Sequence, residues 1–395
     1  MKQSEASGNS FSPLSAVIAV IAISLSLNIL QPLLESVFSV NNMQMPLLFL
    51  GSIVVTLWMY NSRYVSFSRD QVLYSALFVI PAMYLLLRFS TVDEPLSLSW
   101  FRFAFYGVMY FVLIARIDHK AYKYFQGIFN VATVLSLTSH FFTFLHVIPA
   151  YKVQSVSRVG YMYGFTFSDF QRSDFSNINA WRFYGLANEP GAFGVICFLM
   201  FLANGADLKR RINWLYLIAG LCTFSTLFFL LLGTFLVVKN RKVLIVAVLT
   251  YGAFIFIPTG SGYVWWLQYK LLPRPHDLWT ELLTRWDSSL VSIFDRGPIG
   301  IFFGDGSLSY LMGPPAVMVL SGIIGCICYA CICVMQPKVL YLPLAIIFLS
   351  RTQFPFMFML MIPLIVQGLQ TEHDLSEKKE SRSPKVDSVG ALHAL

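Results

Sequence analysis

The chain has 395 residues, of which 56% are hydrophobic and only 12% charged, with a formal net charge of +8 and a mean hydropathy of +0.65. Soluble globular chains carry roughly 25% charged residues, so too little polar surface remains for a water-soluble fold of this size. No internal polar stretch is long enough to form a separate domain, and no nucleic-acid partner is expected despite the positive charge.

A membrane-spanning helix needs about 20 mainly apolar residues. The first five such runs lie near 14–34, 44–60, 71–88, 98–115 and 127–148. The first lacks a clear small-residue cleavage site and reads as a span rather than a signal peptide. A polar stretch follows at about 149–188, then a sixth run near 189–205. Residues 212–238 are apolar but interrupted at Thr223–Thr226, which predicts two short helices with a break between them. A ninth run covers 243–258, a second polar stretch 259–309, and the last runs lie near 311–335, 338–350 and 354–369. The tail, 371–395, is charged and is expected to be disordered. The expected fold is therefore all-α. It is a single polytopic transmembrane helix bundle over 1–370, with about 12 spans, two large external loops and a cytoplasmic tail.

Lys and Arg in short loops set the orientation. A cytoplasmic N-terminus places Arg63, Arg69, Arg116, Lys120, Lys123, Lys209, Arg210, Arg211, Lys239, Arg241, Lys242 and Lys338 inside, with the basic residues of both tails. This parity requires 212–238 to cross twice; a single crossing would export Lys239, Arg241 and Lys242. Both long polar loops then lie outside, on one face. The outside holds nine Arg but two Lys, the inside seven Arg and ten Lys. Topogenesis is indifferent to the kind of cation, whereas bidentate grip of phosphate or carboxylate favours the planar guanidinium. The external Arg excess suggests an anionic ligand on the outer face. Pairing of these arginines with external Asp and Glu for purely structural reasons is the competing explanation.

The six cysteines, Cys197, Cys222, Cys326, Cys328, Cys331 and Cys333, all lie in apolar runs, so a disulfide framework is not expected. No His or acidic residue lies close enough to the last four to complete a metal site, and no metal is expected. His140 and His146, on the outer half of the fifth run, read as packed helix residues rather than bases.

Two stretches carry chemistry. The first is Arg182-Phe-Tyr-Gly-Leu-Ala-Asn-Glu-Pro-Gly-Ala-Phe-Gly194. Pro190 suits the first turn of a helix, and Glu189 suits a helix N-terminus on electrostatic grounds alone. Arg182 at the membrane interface is costly unless paired or functional, and pairing with Glu189 is the simpler alternative. The second stretch contains Arg285-Trp-Asp287, then Arg296-Gly-Pro-Ile-Gly300 and Gly304-Asp-Gly-Ser307. Its first part reads as an interfacial amphipathic helix anchored by Trp279 and Trp286. Its glycine-rich part reads as a turn before a span, with turn chemistry and phosphate contact both open.

The pattern Arg-x-x-Gly-x-x-x-Glu-Pro-x-x-x-Gly closing a long external loop resembles the O-antigen polymerase and ligase family of bacterial envelope enzymes. So does a second loop with Arg-Trp-Asp and Gly-x-Gly-Ser ahead of a span containing Gly322-Ile-Ile-Gly325. The resemblance follows the order of elements over about residues 120–369 and is specific in only about thirty of them. It implies a glycosyltransferase in the bacterial cytoplasmic membrane, with both termini in the cytoplasm. Such an enzyme moves a glycan from undecaprenyl diphosphate to the end of another lipid-linked repeat unit, with no cofactor and no metal. It implies membrane lipid around the chain and, as further partners, a flippase and a chain-length regulator. Arg182 and Arg285 match the family's loop arginines as diphosphate or glycan ligands. Glu189 matches the Glu of the Glu-Pro motif, in acceptor activation or in orienting Arg182. Arg158, Arg172 and Arg296, with Asp287, complete the candidate substrate-binding set.

Family ligases that use lipid A core as acceptor usually carry a His near the end of the second loop. Here that segment reads Ser309-Tyr-Leu-Met-Gly-Pro-Pro-Ala316, and the one His in the loop is His276, ahead of Arg285. The polymerase is therefore favoured over the ligase. A lipid-linked oligosaccharide flippase is the alternative from another class, but flippases place charges inside the bundle and show related halves. In this sequence mid-span charges are nearly absent and no repeat is visible. A membrane acyltransferase would need a convincing His or Asp/His pair near a span end, and none is seen.

Overall fold

The computed structural model describes residues 119–145, 147, 151–154, 159–163, 166–168, 183–185, 187, 190–239, 297–303, 322–324, 326–327, 330–331, 333–350, 362, 365–366 and 368–369. The expected spans near 14–34, 44–60, 71–88, 98–115 and 243–258, and the tail, lie outside these residues. The elements are α1 (His119–Phe144), strands β1 (Tyr151–Gln154), β2 (Val159–Tyr163) and β3 (Thr166–Ser168), then α2 (Pro190–Ala203), α3 (Arg211–Cys222), α4 (Thr226–Lys239) and α5 (Gly297–Phe303). A 3-10 turn at Lys338–Leu340 leads into α6 (Tyr341–Ser350).

Two differences from the sequence reading have clear local causes. No strand was expected in the first polar stretch, yet β1, β2 and β3 form an antiparallel sheet in that order, with Tyr151 opposite Met162 and Tyr161 opposite Ser168. Its tyrosines, valines and threonine suit a pleated surface. The first part of the glycine-rich stretch read as a turn is helical over Gly297–Phe303, and Gly304–Ser307 lies outside the described residues. Gly297 takes a φ of +70°, and Pro298 has its φ preset for a first helical turn.

α2 is the centre of the described bundle: all fourteen of its residues are buried. A helix that is apolar all round is a core helix. It ends in a Schellman motif. The Gly205 N–H donates to Leu202 O at 2.8 Å and the Ala206 N–H to Phe201 O at 3.0 Å, with Gly205 at φ +73°. That left-handed residue turns the chain back so that α3 packs along α2.

α3 stops at Cys222 and α4 starts at Thr226, so the interruption read at Thr223–Thr226 is a helix break. The Thr223 hydroxyl donates to Gly220 O at 2.6 Å and accepts from the Ser225 N–H at 3.2 Å. Phe224 sits at φ +47° and reverses the chain. α4 then runs back along α2, where Phe235 meets Phe198 and Phe201 edge-on at 6.1 and 5.9 Å. α2 and α4 are thus parallel to each other and antiparallel to α3.

The hairpin closes on one ring. Phe228 is fully buried and fills the space over two glycines. A Cβ on Gly220 would overlap the Phe228 ring, and one on Gly194 would come within 3.0 Å of Phe228 Cβ. Small residues that let helices approach closely are the usual device where apolar surroundings give no solvent drive to association.

α1 is pinned to this core by a polar network near its first half. The Tyr216 hydroxyl donates to Asn130 Oδ1 at 2.6 Å, and Gln126 Nε2 donates to Asn204 Oδ1 at 2.6 Å. Asn213 Nδ2 donates to Asp207 O at 2.8 Å. The buried side of α1 carries Tyr122, Phe125, Phe129, Thr133 and Ser136, whereas its exposed side carries Ile128, Val131, Leu135 and Phe142. Large apolar groups thus lie on both sides of α1, which is not the pattern of a helix with one face in water. Among the described residues no helix is long and apolar enough to cross a membrane. α2 and α4 have 14 residues each and α3 has 12, about 18–21 Å at 1.5 Å per residue.

Gly220→Ala is expected to destabilise the protein by about 1–3 kcal/mol, because the Phe228 ring is enclosed and cannot retreat. Thermal unfolding in detergent checks this, and adding Phe228→Leu to Gly220→Ala should recover part of the loss.

Candidate functional site

The seven candidate residues from the sequence, Arg158, Arg172, Arg182, Glu189, Arg285, Asp287 and Arg296, all lie outside the described residues. The structure therefore brings none of them together and separates none. What it does describe is the framework on either side of the Arg182–Glu189 motif: Phe183, Tyr184, Gly185 and Ala187 after the arginine, and Pro190 after the glutamate.

That framework is held firmly. The Phe183 N–H donates to Cys222 O at 3.0 Å, so the chain directly after Arg182 is fastened to the last turn of α3. The Phe183 side chain is fully buried. Its ring meets Phe193 of α2 edge-on at 5.3 Å and His140 of α1 at 5.2 Å. Phe193 in turn contacts Phe129 at 5.6 Å, and Phe129 contacts Tyr216 at 6.0 Å. Tilted and edge-to-face aromatic pairs of this kind add about 0.5–1.5 kcal/mol each beyond simple burial. The loop is thus keyed into α1, α2 and α3 through a single aromatic chain.

Gly185 explains the first glycine of the motif. It has a φ of +54°, and a Cβ there would sit 2.5–2.6 Å from the Phe193 ring atoms. Both the left-handed backbone and the close approach demand glycine. The Ala187 N–H then donates to Tyr184 O at 3.0 Å, which tightens the turn towards α2. Pro190 is the first residue of that helix, where its missing N–H costs nothing. Glu189 therefore directly precedes the positive end of a buried helix, a position at which a carboxylate is stabilised. Gly194 explains the last glycine: a Cβ would come within 3.1 Å of Thr223 Oγ1 and 3.5 Å of Ser225 Cβ.

Among the described residues the charged side chains of the α2–α4 bundle gather at one end. Phe183, Pro190 and the Thr223–Ser225 break share the opposite end. The charged end carries Lys209, Arg210 and Arg211, together with Lys239, whose Nζ donates to Ala206 O at 3.5 Å. The motif framework and this basic cluster are separated by the full length of α3.

His140, expected as a packed helix residue, lies in α1 with its ring against Phe183 of the motif. It and Phe183 are 43 positions apart, and spacing alone carries no signal of their contact. Among the described residues no group of three or more His, Cys, Asp or Glu could hold a metal ion.

Gly185→Ala is expected to loosen the loop from α2, because left-handed strain of about 1–2 kcal/mol adds to the overlap with Phe193. Limited proteolysis in detergent should show faster cleavage within 149–188 than in the parent, with cleavage elsewhere unchanged. The chain matches no family model, and no curated protein or solved structure is significantly similar to it.

Proposed function

We propose that the protein polymerises lipid-linked polysaccharide repeat units on the outer face of the bacterial cytoplasmic membrane, as a metal-independent glycosyltransferase. The observation that carries the reading is the anchoring of Phe183, Gly185 and Pro190, the described residues between and after Arg182 and Glu189. This framework is built into the end of the helix bundle opposite the Lys209, Arg210, Arg211 and Lys239 cluster. Basic clusters mark the cytoplasmic end, which supports an outer-end position for the motif. The large apolar residues on the exposed side of α1 support a lipid setting.

The chemistry asked of the site is displacement at a sugar carbon. A hydroxyl of the acceptor glycan forms the new C–O bond and gives up its proton, while the bond to the diphosphate of the donor lipid breaks. Negative charge grows on the leaving diphosphate, and fixed cations lower the barrier most where that charge develops. Arg182 and Arg285 take this role, with Arg158, Arg172 and Arg296 gripping diphosphate or glycan. Glu189 serves as proton acceptor or holds Arg182 in place, and Asp287 binds glycan hydroxyls. The energy comes from the glycosyl diphosphate bond, so no nucleotide sugar is required.

The glycan profile of a strain lacking the protein, run beside one carrying Arg182→Ala, tests this. A single repeat unit in both strains, where the parent gives a ladder, is the expected outcome. Repeats trapped on the cytoplasmic face would identify a flippase instead. An unchanged ladder would overturn the reading. Arg285→Ala should abolish the ladder while the protein still accumulates in the membrane. Arg285→Lys should also be defective, because a point charge lacks the guanidinium fork; wild-type activity there would reduce Arg285 to a simple charge. Truncation after Gln370 should leave the ladder intact.

A further inference from the structure

The end of the bundle away from the motif has a composition of its own. Lys209 and Arg211 are exposed, and Lys239 closes α4 beside them. Lys239 is not free to sweep through solvent, because its Nζ lies 5.7 Å from the Phe235 ring centroid and bonds the Ala206 carbonyl. The single acid of the turn, Asp207, accepts the backbone N–H of Lys209 at 2.9 Å. Around these cations, large apolar side chains stand out from the protein: Leu208 is 50% exposed, Trp214 51% and Val238 72%. The indole of Trp214 donates to Leu208 O at 2.9 Å, which fixes the ring at the rim.

We propose that this surface, formed by Lys209, Arg210, Arg211 and Lys239 with Leu208, Trp214 and Val238, docks the headgroups of anionic phospholipids. The inference rests on the membrane reading of the chain and not on glycosyl transfer. Cations alone would suit any polyanion, but a nucleic acid or an acidic protein would leave Leu208 and Val238 facing water. A neutral lipid would cover those side chains but bring no negative charge to Lys209, Arg211 and Lys239. An amphiphile with an anionic head satisfies both, with acyl chains against the apolar rim and phosphate against the ammonium and guanidinium groups. Trp at such a boundary places its apolar body in lipid and its N–H towards the polar layer.

The test uses the purified full-length chain in detergent, with thermal unfolding followed as phosphatidylglycerol, phosphatidylcholine or soluble glycerol phosphate is added. Phosphatidylglycerol should raise the midpoint beyond phosphatidylcholine, and glycerol phosphate should have no effect. In Lys209→Gln/Lys239→Gln the half-saturating phosphatidylglycerol concentration should rise, by about fivefold for each cation removed. Equal responses to the two lipids, a full response to glycerol phosphate, or an unchanged half-saturation in the variant would each overturn the proposal. Should the double variant fail to accumulate, Lys239→Gln alone serves, with a rise of about fivefold expected. Recovery of the wild-type chain in the soluble fraction of lysed cells would overturn the membrane reading itself. A membrane-extracted chain with no preference for phosphatidylglycerol would overturn this inference alone.

Discussion

The Phe228 side chain, with its Cβ against Gly194 and its ring over Gly220, is the contact on which the described structure turns. It lets α3 and α4 approach α2 at backbone distance and fixes where the chain reverses at Thr223–Ser225. That reversal carries the Cys222 carbonyl, to which the Phe183 N–H is fastened. A larger residue at either glycine would push the hairpin off α2 and take the anchor of the loop with it. The glycines of the motif and the glycine of the hairpin thus belong to one packing problem, although they lie far apart in sequence.

Gln126, Asn130, Asn204 and Tyr216 pair with one another between helices, and Asn213 Nδ2 donates to Asn204 O, while Val131, Phe142 and Trp214 face outward. Such a network is costly in a low-dielectric interior unless its members are paired, and once paired it fixes the rotation of α1 about its own axis. Rotation of α1 sets where His140 lies, and His140 meets Phe183 beside the motif. The network at one end of the bundle and the aromatic chain towards the other therefore constrain the same helix.

The proposed chemistry draws on this rigidity. Arginines that stabilise charge on a leaving diphosphate act best when their positions are set before the reaction. A loop keyed into three helices through Phe183, Phe193 and Gly185 supplies such a base for Arg182 and Glu189. The basic end, by contrast, is built of long side chains around a tight turn, which suits a fluid partner such as lipid better than a reacting centre.

Much of the local order was legible in the residues themselves. Thr223–Thr226 interrupts an apolar run with groups that bond their own backbone, so a helix break could be read there. Pro190 announced a helix start for the same kind of local reason, a missing N–H that only a first turn tolerates. The strands at 151–168 and the helix beginning at Gly297 were not read, because short polar or glycine-rich stretches carry weak periodicity. The contacts of Phe183 with Cys222 and His140, and of Phe228 with two glycines, were beyond sequence for a different reason. They depend on the rotation and close approach of helices, which long-range packing decides and spacing along one chain does not encode. The amino-acid sequence alone thus determined the apolar character of the chain, the interrupted helix, and the arginine-rich motifs with their Glu-Pro turn. Only tertiary structure decided that the motif's framework is built onto the end of α3 away from the cationic turn, because that placement is set by how α1, α2 and α3 pack.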